Sequence, residues 1–217
     1  MTGLSDSFQR PIDYLRISVT DRCNLRCLYC MPPQGITLMP RSDILRYEEI
    51  GAIAQAAAEL GISKVRLTGG EPLVRAELLR LVRLLSRIEG IDDLSLTSNG
   101  VLLKRYAAPL KEAGLRRVNV SLDTLKRERY LELTRRDRLG DVLDGIEAAR
   151  KAGLDPVKIN MVVMRGINDD EVLDFARLSL EEGWHVRFVE LMPFSTYGAL
   201  QFVPVSEIQK RILPLGP

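Results

Sequence analysis

Six short runs of β-forming residues, each followed by a stretch of helical periodicity, limit most strongly what this chain can fold into. The runs cover 14–19, 65–68, 94–97, 117–121, 157–163 and 186–191. Each is rich in Val, Ile or Leu and stops where polar or Gly residues begin, as strands buried in a parallel sheet do. Ile50, Ile53, Ala54, Ala57 and Leu60 form one helical stripe, and Leu78, Leu81, Val82 and Leu85 form another. Further helical runs are predicted over 103–113, 142–152 and 171–182, and a last one over 206–212. Three helices close on the related phrases 58–62, 111–115 and 150–154, whose Gly61, Gly114 and Gly153 suit the left-handed residue past a helix C-terminus. One βα unit repeated six times predicts an α/β fold with a parallel sheet. A doubly wound sheet and a curved, TIM-like partial (βα)6 barrel share this pattern. The lack of a Gly-rich dinucleotide fingerprint after the first strand favours the barrel.

The 217 residues suffice for one well-buried domain, predicted over 1–217. With 46% hydrophobic and 28% charged residues the chain reads as globular, and a net charge of +2 implies neither a nucleic-acid nor a membrane partner. The opening MTGLSDSFQR has no apolar core of a signal peptide, and no stretch approaches the roughly 20 apolar residues of a membrane span. A reducing, cytoplasmic setting is the expectation. It leaves the three cysteines, all within eight residues, as free thiols able to bind metal rather than as a disulfide framework.

Those cysteines, Cys23, Cys27 and Cys30, follow the first strand at the spacing Cys-x3-Cys-x2-Cys. Thiolates hold iron–sulfur clusters, and a cubane given three of them keeps one iron open to a small molecule. Packing as small hydrophobes or zinc binding are the alternatives. Zinc would need a carboxylate, because the only histidine, His185, lies far along the chain. The second strand runs into Gly69-Gly70-Glu71-Pro72, in isolation a strand-to-helix turn. Thr97, Ser98 and Asn99 close the third strand and Asn119, Ser121 and Asp123 the fourth, while Lys158 and Asn160 lie on the fifth and Arg187, Glu190 and Met192 on or after the sixth. Singly these read as turn residues, but at one end of a barrel they converge on one cavity. Arg16, Arg66 and Lys158 lie within strands, a costly place for a cation unless it meets an anion.

The cysteine phrase resembles the signature of the radical S-adenosylmethionine (SAM) superfamily. That resemblance implies a [4Fe–4S] cluster on Cys23, Cys27 and Cys30, with SAM chelated at the open iron and cleaved to methionine and a 5′-deoxyadenosyl radical. It places Tyr29 near the adenine and makes Gly69-Gly70-Glu71 the motif that grips the methionine amino group. Over longer phrases, spanning 15–32, 64–75, 96–100, 115–123, 158–170 and 186–193, the chain resembles the GTP 3′,8-cyclases of molybdenum cofactor biosynthesis. The likeness runs from about Arg10 to about Ile212. It implies removal of the C3′ hydrogen of GTP and closure of C3′ onto guanine C8. Carried over, Tyr29, Gly70, Ser121 and Met192 contact SAM, and Arg16, Arg66, Thr97 and Lys158 contact GTP. Asp123, Asn160 and Arg187 would support them, and no catalytic side chain is named.

That family carries a second cysteine triad and a Gly-Gly tail in a C-terminal region, whereas here no cysteine follows Cys30. The expectation is a fragment or shortened form that supports the SAM cluster only, cleaving SAM without cyclising GTP. A stand-alone radical SAM enzyme, such as a peptide-modifying maturase, and a non-catalytic scaffold are the alternatives. GTP and an electron donor are the expected partners, with a second copy of the chain as a cover for the open barrel face and no nucleic acid or membrane.

Overall fold

The computed structural model describes residues 3–192 and 201–216. Strands β1 (Tyr14–Ser18), β2 (Lys64–Thr68), β3 (Asp93–Ser98), β4 (Arg117–Ser121), β5 (Lys158–Val163) and β6 (His185–Glu190) form one parallel sheet in chain order. Each crossover advances one strand in the same direction, so there is no reversal point of the kind a doubly wound sheet requires. Among the described residues β6 does not pair with β1, which leaves a partial, open barrel.

Helices α1 (Tyr47–Glu59), α2 (Leu78–Leu85), α3 (Leu103–Glu112), α4 (Arg127–Thr134), α5 (Leu139–Lys151), α6 (Val172–Glu181) and α7 (Val205–Ile212) fill the crossovers and close the chain. The α2 stripe is wholly buried. The α1 stripe is narrower than its periodicity suggests. Ile50 and Ala54 are buried, while Ile53 and Leu60 face outward because α1 rests on one edge against α2. Gly61, Gly114 and Gly153 all take the positive φ expected past a helix end. Helix α4 is absent from the sequence-based pattern, since its eight residues mix charges with only three large apolar side chains.

The strands are not buried alike on both sides. They alternate. Leu15 and Ile17, Val65 and Leu67, Leu94 and Leu96, Val118 and Val120, and Ile159 and Met161 form the face that packs with the helical core. The opposite face carries Arg16 beside Arg66, Arg66 beside Ser95, and Ser95 beside Arg117 along one register line. Thr97, Asn119, Lys158 and His185 form the next line, and Ser121, Asn160 and Arg187 a third. Successive side chains in a strand point to opposite faces, so a polar face with several cations lines the hollow of the sheet.

Candidate active site

The cysteine loop leaves the C-terminal end of β1 and is stitched to the turn after β2. Gly70 N–H donates to Thr20 O at 2.7 Å and Glu71 N–H to Arg22 O at 2.8 Å. A Cβ on Gly69 would stand 2.4 Å from Thr20 O, and one on Gly70 2.3 Å from Arg22 O. The two glycines therefore admit the backbone of the cysteine loop itself. On its other side the loop hangs from α4. Arg26 N–H donates to Thr134 O at 3.0 Å and Leu28 N–H to Leu133 O at 2.9 Å. Arg135, in the left-handed region at the end of α4, donates from one guanidinium nitrogen to Arg26 O and Met31 O. Arg26 in turn donates to Cys23 O and Leu25 O, each at 2.8 Å.

All three thiols are free and line one cavity of about 350 Å³, with Ser18, Thr20, Gly69 and Gly70. No group of three or more His, Cys, Asp or Glu side chains among the described residues stands ready-made for a metal ion. Burial pushes the Cys23 thiol up, opposed by donors on its sulfur: Leu25 N–H at 3.4 Å and Asn99 Nδ2 at 3.8 Å. Cys30 and burial raise the Cys27 thiol, and Cys30 moves down because Cys27 stabilises its thiolate. Three sulfur donors on one cavity, with His185 at the far end of the sheet, suit an iron–sulfur cluster, whose positive iron stabilises thiolates that crowd one another.

Two buried carboxylates brace this loop. Glu71 is fully buried, and its oxygens accept from Leu73 N–H at 3.1 Å, Ser98 Oγ at 2.9 Å and Asn99 N–H at 2.6 Å. Burial raises its pKa against those three hydrogen bonds. These bonds tie the turn after β2 to the end of β3, so the Glu71 carboxylate holds in place the turn that carries Gly69 and Gly70. Tyr29 donates its hydroxyl to Asp123 Oδ2 at 2.6 Å, and Val162 N–H donates to Asp123 Oδ1 at 2.8 Å. Burial pushes Asp123 up to about 6. Ser121 lines a small cavity with Cys27, Tyr29 and Asp123. Met192, 61% exposed beyond β6, does not line the cysteine cavity.

The structure gathers Arg16, Arg66, Thr97 and Lys158 on the polar sheet face. Burial lowers the Arg66 pKa, and Arg187, Arg117 and Arg16 lower it further. Lys158 is lowered by burial and then by Arg117, Arg187 and Arg66. Five cations thus repel one another across one hollow. Asp93 pairs with Arg117, and Arg187 donates to Asn119 Oδ1 at 2.7 Å. Among the described residues Arg16 and Lys158 have no acidic partner. Sequence reasoning gave Arg117 no role, although its alternation with Val118 in β4 already set its side chain on this face. In sequence Asn99 stands out only as a strand-end polar residue, and Arg135 leaves no signal, since its partners Arg26 O and Met31 O are distant in sequence.

The Radical SAM superfamily profile matches residues 17–179. The chain is 56% identical over 219 residues to the GTP 3′,8-cyclase of Moorella thermoacetica, covering 99% of this chain and 68% of that protein. It is 54% identical over 218 residues to the GTP 3′,8-cyclase of Pelotomaculum thermopropionicum, covering 99% and 67%. The chain thus spans about two thirds of the length of these relatives. In fold it is similar to anSMEcpe with bound AdoMet, at a TM-score of 0.71 and 19% identity over 93% of this chain and 57% of that one. It is also similar to Streptococcus suis SuiB bound to S-adenosylmethionine, at a TM-score of 0.71 and 16% identity over 94% and 47%. The chain belongs to the radical SAM superfamily, whose enzymes use S-adenosylmethionine and a [4Fe–4S] cluster, and within it to the GTP 3′,8-cyclase family.

Proposed function

We propose that residues 1–217 form the radical SAM core of a GTP 3′,8-cyclase, with the SAM cluster on Cys23, Cys27 and Cys30 and the triphosphate of GTP on the cationic sheet face. When bound, the cluster would pass an electron to SAM, which would give methionine and a 5′-deoxyadenosyl radical able to take the C3′ hydrogen of GTP. C3′ would then bond guanine C8, and a further electron and a proton would complete the reduced ring. This chain's residues bind and orient. The backbone of Gly70, Ser121 at the end of β4, Tyr29 and Met192 form the SAM contacts. Arg16, Arg66 and Lys158, joined by Arg117 and Arg187, neutralise the triphosphate, and Thr97 hydrogen-bonds beside them. Arginine suits this work because its fork meets phosphate oxygens in pairs.

The observation that carries this reading is the set of mutually repelling cations in the hollow below the cysteine loop. Such a set is costly until an anion of several charges arrives. A peptide substrate would leave most of it unneutralised. The partners on this reading are GTP and an electron donor, in a reducing cytoplasm. The 217 residues hold three cysteines, so a second cluster would draw its thiolates from elsewhere.

Anaerobic reconstitution of the chain with iron and sulfide, followed by dithionite and SAM, tests the proposal. The expected product is 5′-deoxyadenosine, lost in Cys27→Ala, without cyclised GTP from these residues alone. A cluster-loaded chain that leaves SAM intact would refute it.

A further inference from the structure

The three sulfurs of the cysteine loop meet different surroundings. Cys23 Sγ accepts from Leu25 N–H at 3.4 Å and from Asn99 Nδ2 at 3.8 Å. Among the described residues no N–H group reaches the sulfur of Cys27 or Cys30. Asn99 lies just past β3, and its side chain is fixed at both ends. Oδ1 accepts from Val101 N–H at 3.1 Å, the local turn that asparagine forms with the N–H two residues on. The amide nitrogen therefore faces the cysteine loop, where it donates to Asn24 Oδ1 at 2.7 Å. Nδ2 carries two hydrogens, so one remains for Cys23 Sγ. As a thiol Cys23 can donate to Asn24 Oδ1, 4.0 Å away. As a cluster ligand it has no proton, and the donors of Leu25 and Asn99 remain its hydrogen bonds. Asn99 N–H is itself held by Glu71 Oε2 at 2.6 Å, so the backbone beneath this side chain is pinned to the turn after β2.

We propose that Asn99 is a positioning residue that acts through Cys23 and sets how readily the cluster takes up an electron. The inference rests on the proposed function, since it presupposes a cluster on Cys23, Cys27 and Cys30. Reduction adds one negative charge, part of which falls on the sulfur ligands. An N–H aimed at a ligand sulfur stabilises that charge and raises the reduction potential. Two donors on Cys23 and none on the other two sulfurs concentrate the effect on one corner of the cluster. The Leu25 donor is backbone, so Asn99 is the side chain through which the sequence adjusts it.

The test is a dithionite titration of the cluster-loaded chain without SAM, followed by electron paramagnetic resonance. Asn99→Leu keeps the rough shape of the side chain, removes both Nδ2 hydrogens and leaves the N–H bond to Glu71 in place. It is expected to lower the reduction equilibrium constant about tenfold, which is about 59 mV for one electron. Ser98→Ala loosens the same turn, since it removes one donor to Glu71 and the acceptor of Gly100 N–H. It should change the constant less than about twofold, because it touches no sulfur. Asn99→Ala serves if Asn99→Leu does not fold. An unchanged potential in the Asn99 variant, or an equal shift in Ser98→Ala, would overturn the proposal. So would a folded Asn99 variant that takes up no cluster while Ser98→Ala takes up about four irons, because the side chain then serves assembly. An unaltered chain that loads no cluster contradicts the proposed function instead, so the two failures are distinguishable.

Discussion

Glu71 shows how one side chain ties sequence to site. Its carboxylate accepts three hydrogen bonds at zero exposure, and so fixes the turn after β2 to the end of β3. Glu71→Gln sets an amide donor against backbone donors in a place water does not reach. The expected cost is about 2 kcal/mol, read from the denaturant midpoint of the cluster-free chain. Asp123 adds a pH dependence. Burial raises it from 3.8 to about 6, against the Tyr29 hydroxyl and Val162 N–H. Between those values the folded state keeps a proton that the unfolded chain has lost, so stability declines as pH rises through the interval. Burial of the charge then costs about 3 kcal/mol in full above pH 6. Asp123→Asn should flatten this decline, which urea unfolding at several pH values would check.

At the scale of elements, the cysteine loop is held from two sides, by the β2 turn and by α4. Gly70→Ala places a methyl 2.3 Å from Arg22 O, and one of the two segments must move. We expect it to destabilise the fold by about 1–3 kcal/mol and to lower the iron bound per chain after reconstitution. Arg135→Ala removes the donor to Arg26 O and Met31 O. It should speed amide exchange at Leu28 about tenfold without a comparable change in the β3 amides. The strands and most helices were legible because alternation and 3.6-residue periodicity are local. Arg117–Ser121 matches its sequence-based bounds end for end. Helix α4 was not legible, because its apolar residues gain meaning only from contacts it makes elsewhere. Tyr130 and Leu133 are buried although 126–129 reads as solvated. The Cys-x3-Cys-x2-Cys spacing is plain in sequence, whereas the bracing of that loop by Asn99 and Arg135 depends on long-range hydrogen bonds that no spacing encodes.

For the whole molecule, the decisive property is an open sheet with one apolar face and one polar face. The cysteine loop lies past the C-terminal ends of the strands. Arg117 and Lys158 open β4 and β5, and Arg16 and Arg66 sit midway along β1 and β2. A ligand reaching from the loop into this hollow meets thiolate chemistry at one end and fixed positive charge at the other. Isothermal titration of the cluster- and SAM-loaded chain with GTP and with GMP tests that arrangement most directly. The account expects GTP to bind at least about tenfold more tightly than GMP, about 1.4 kcal/mol, and the gap to close in Lys158→Ala. Equal affinity for the two nucleotides would contradict it.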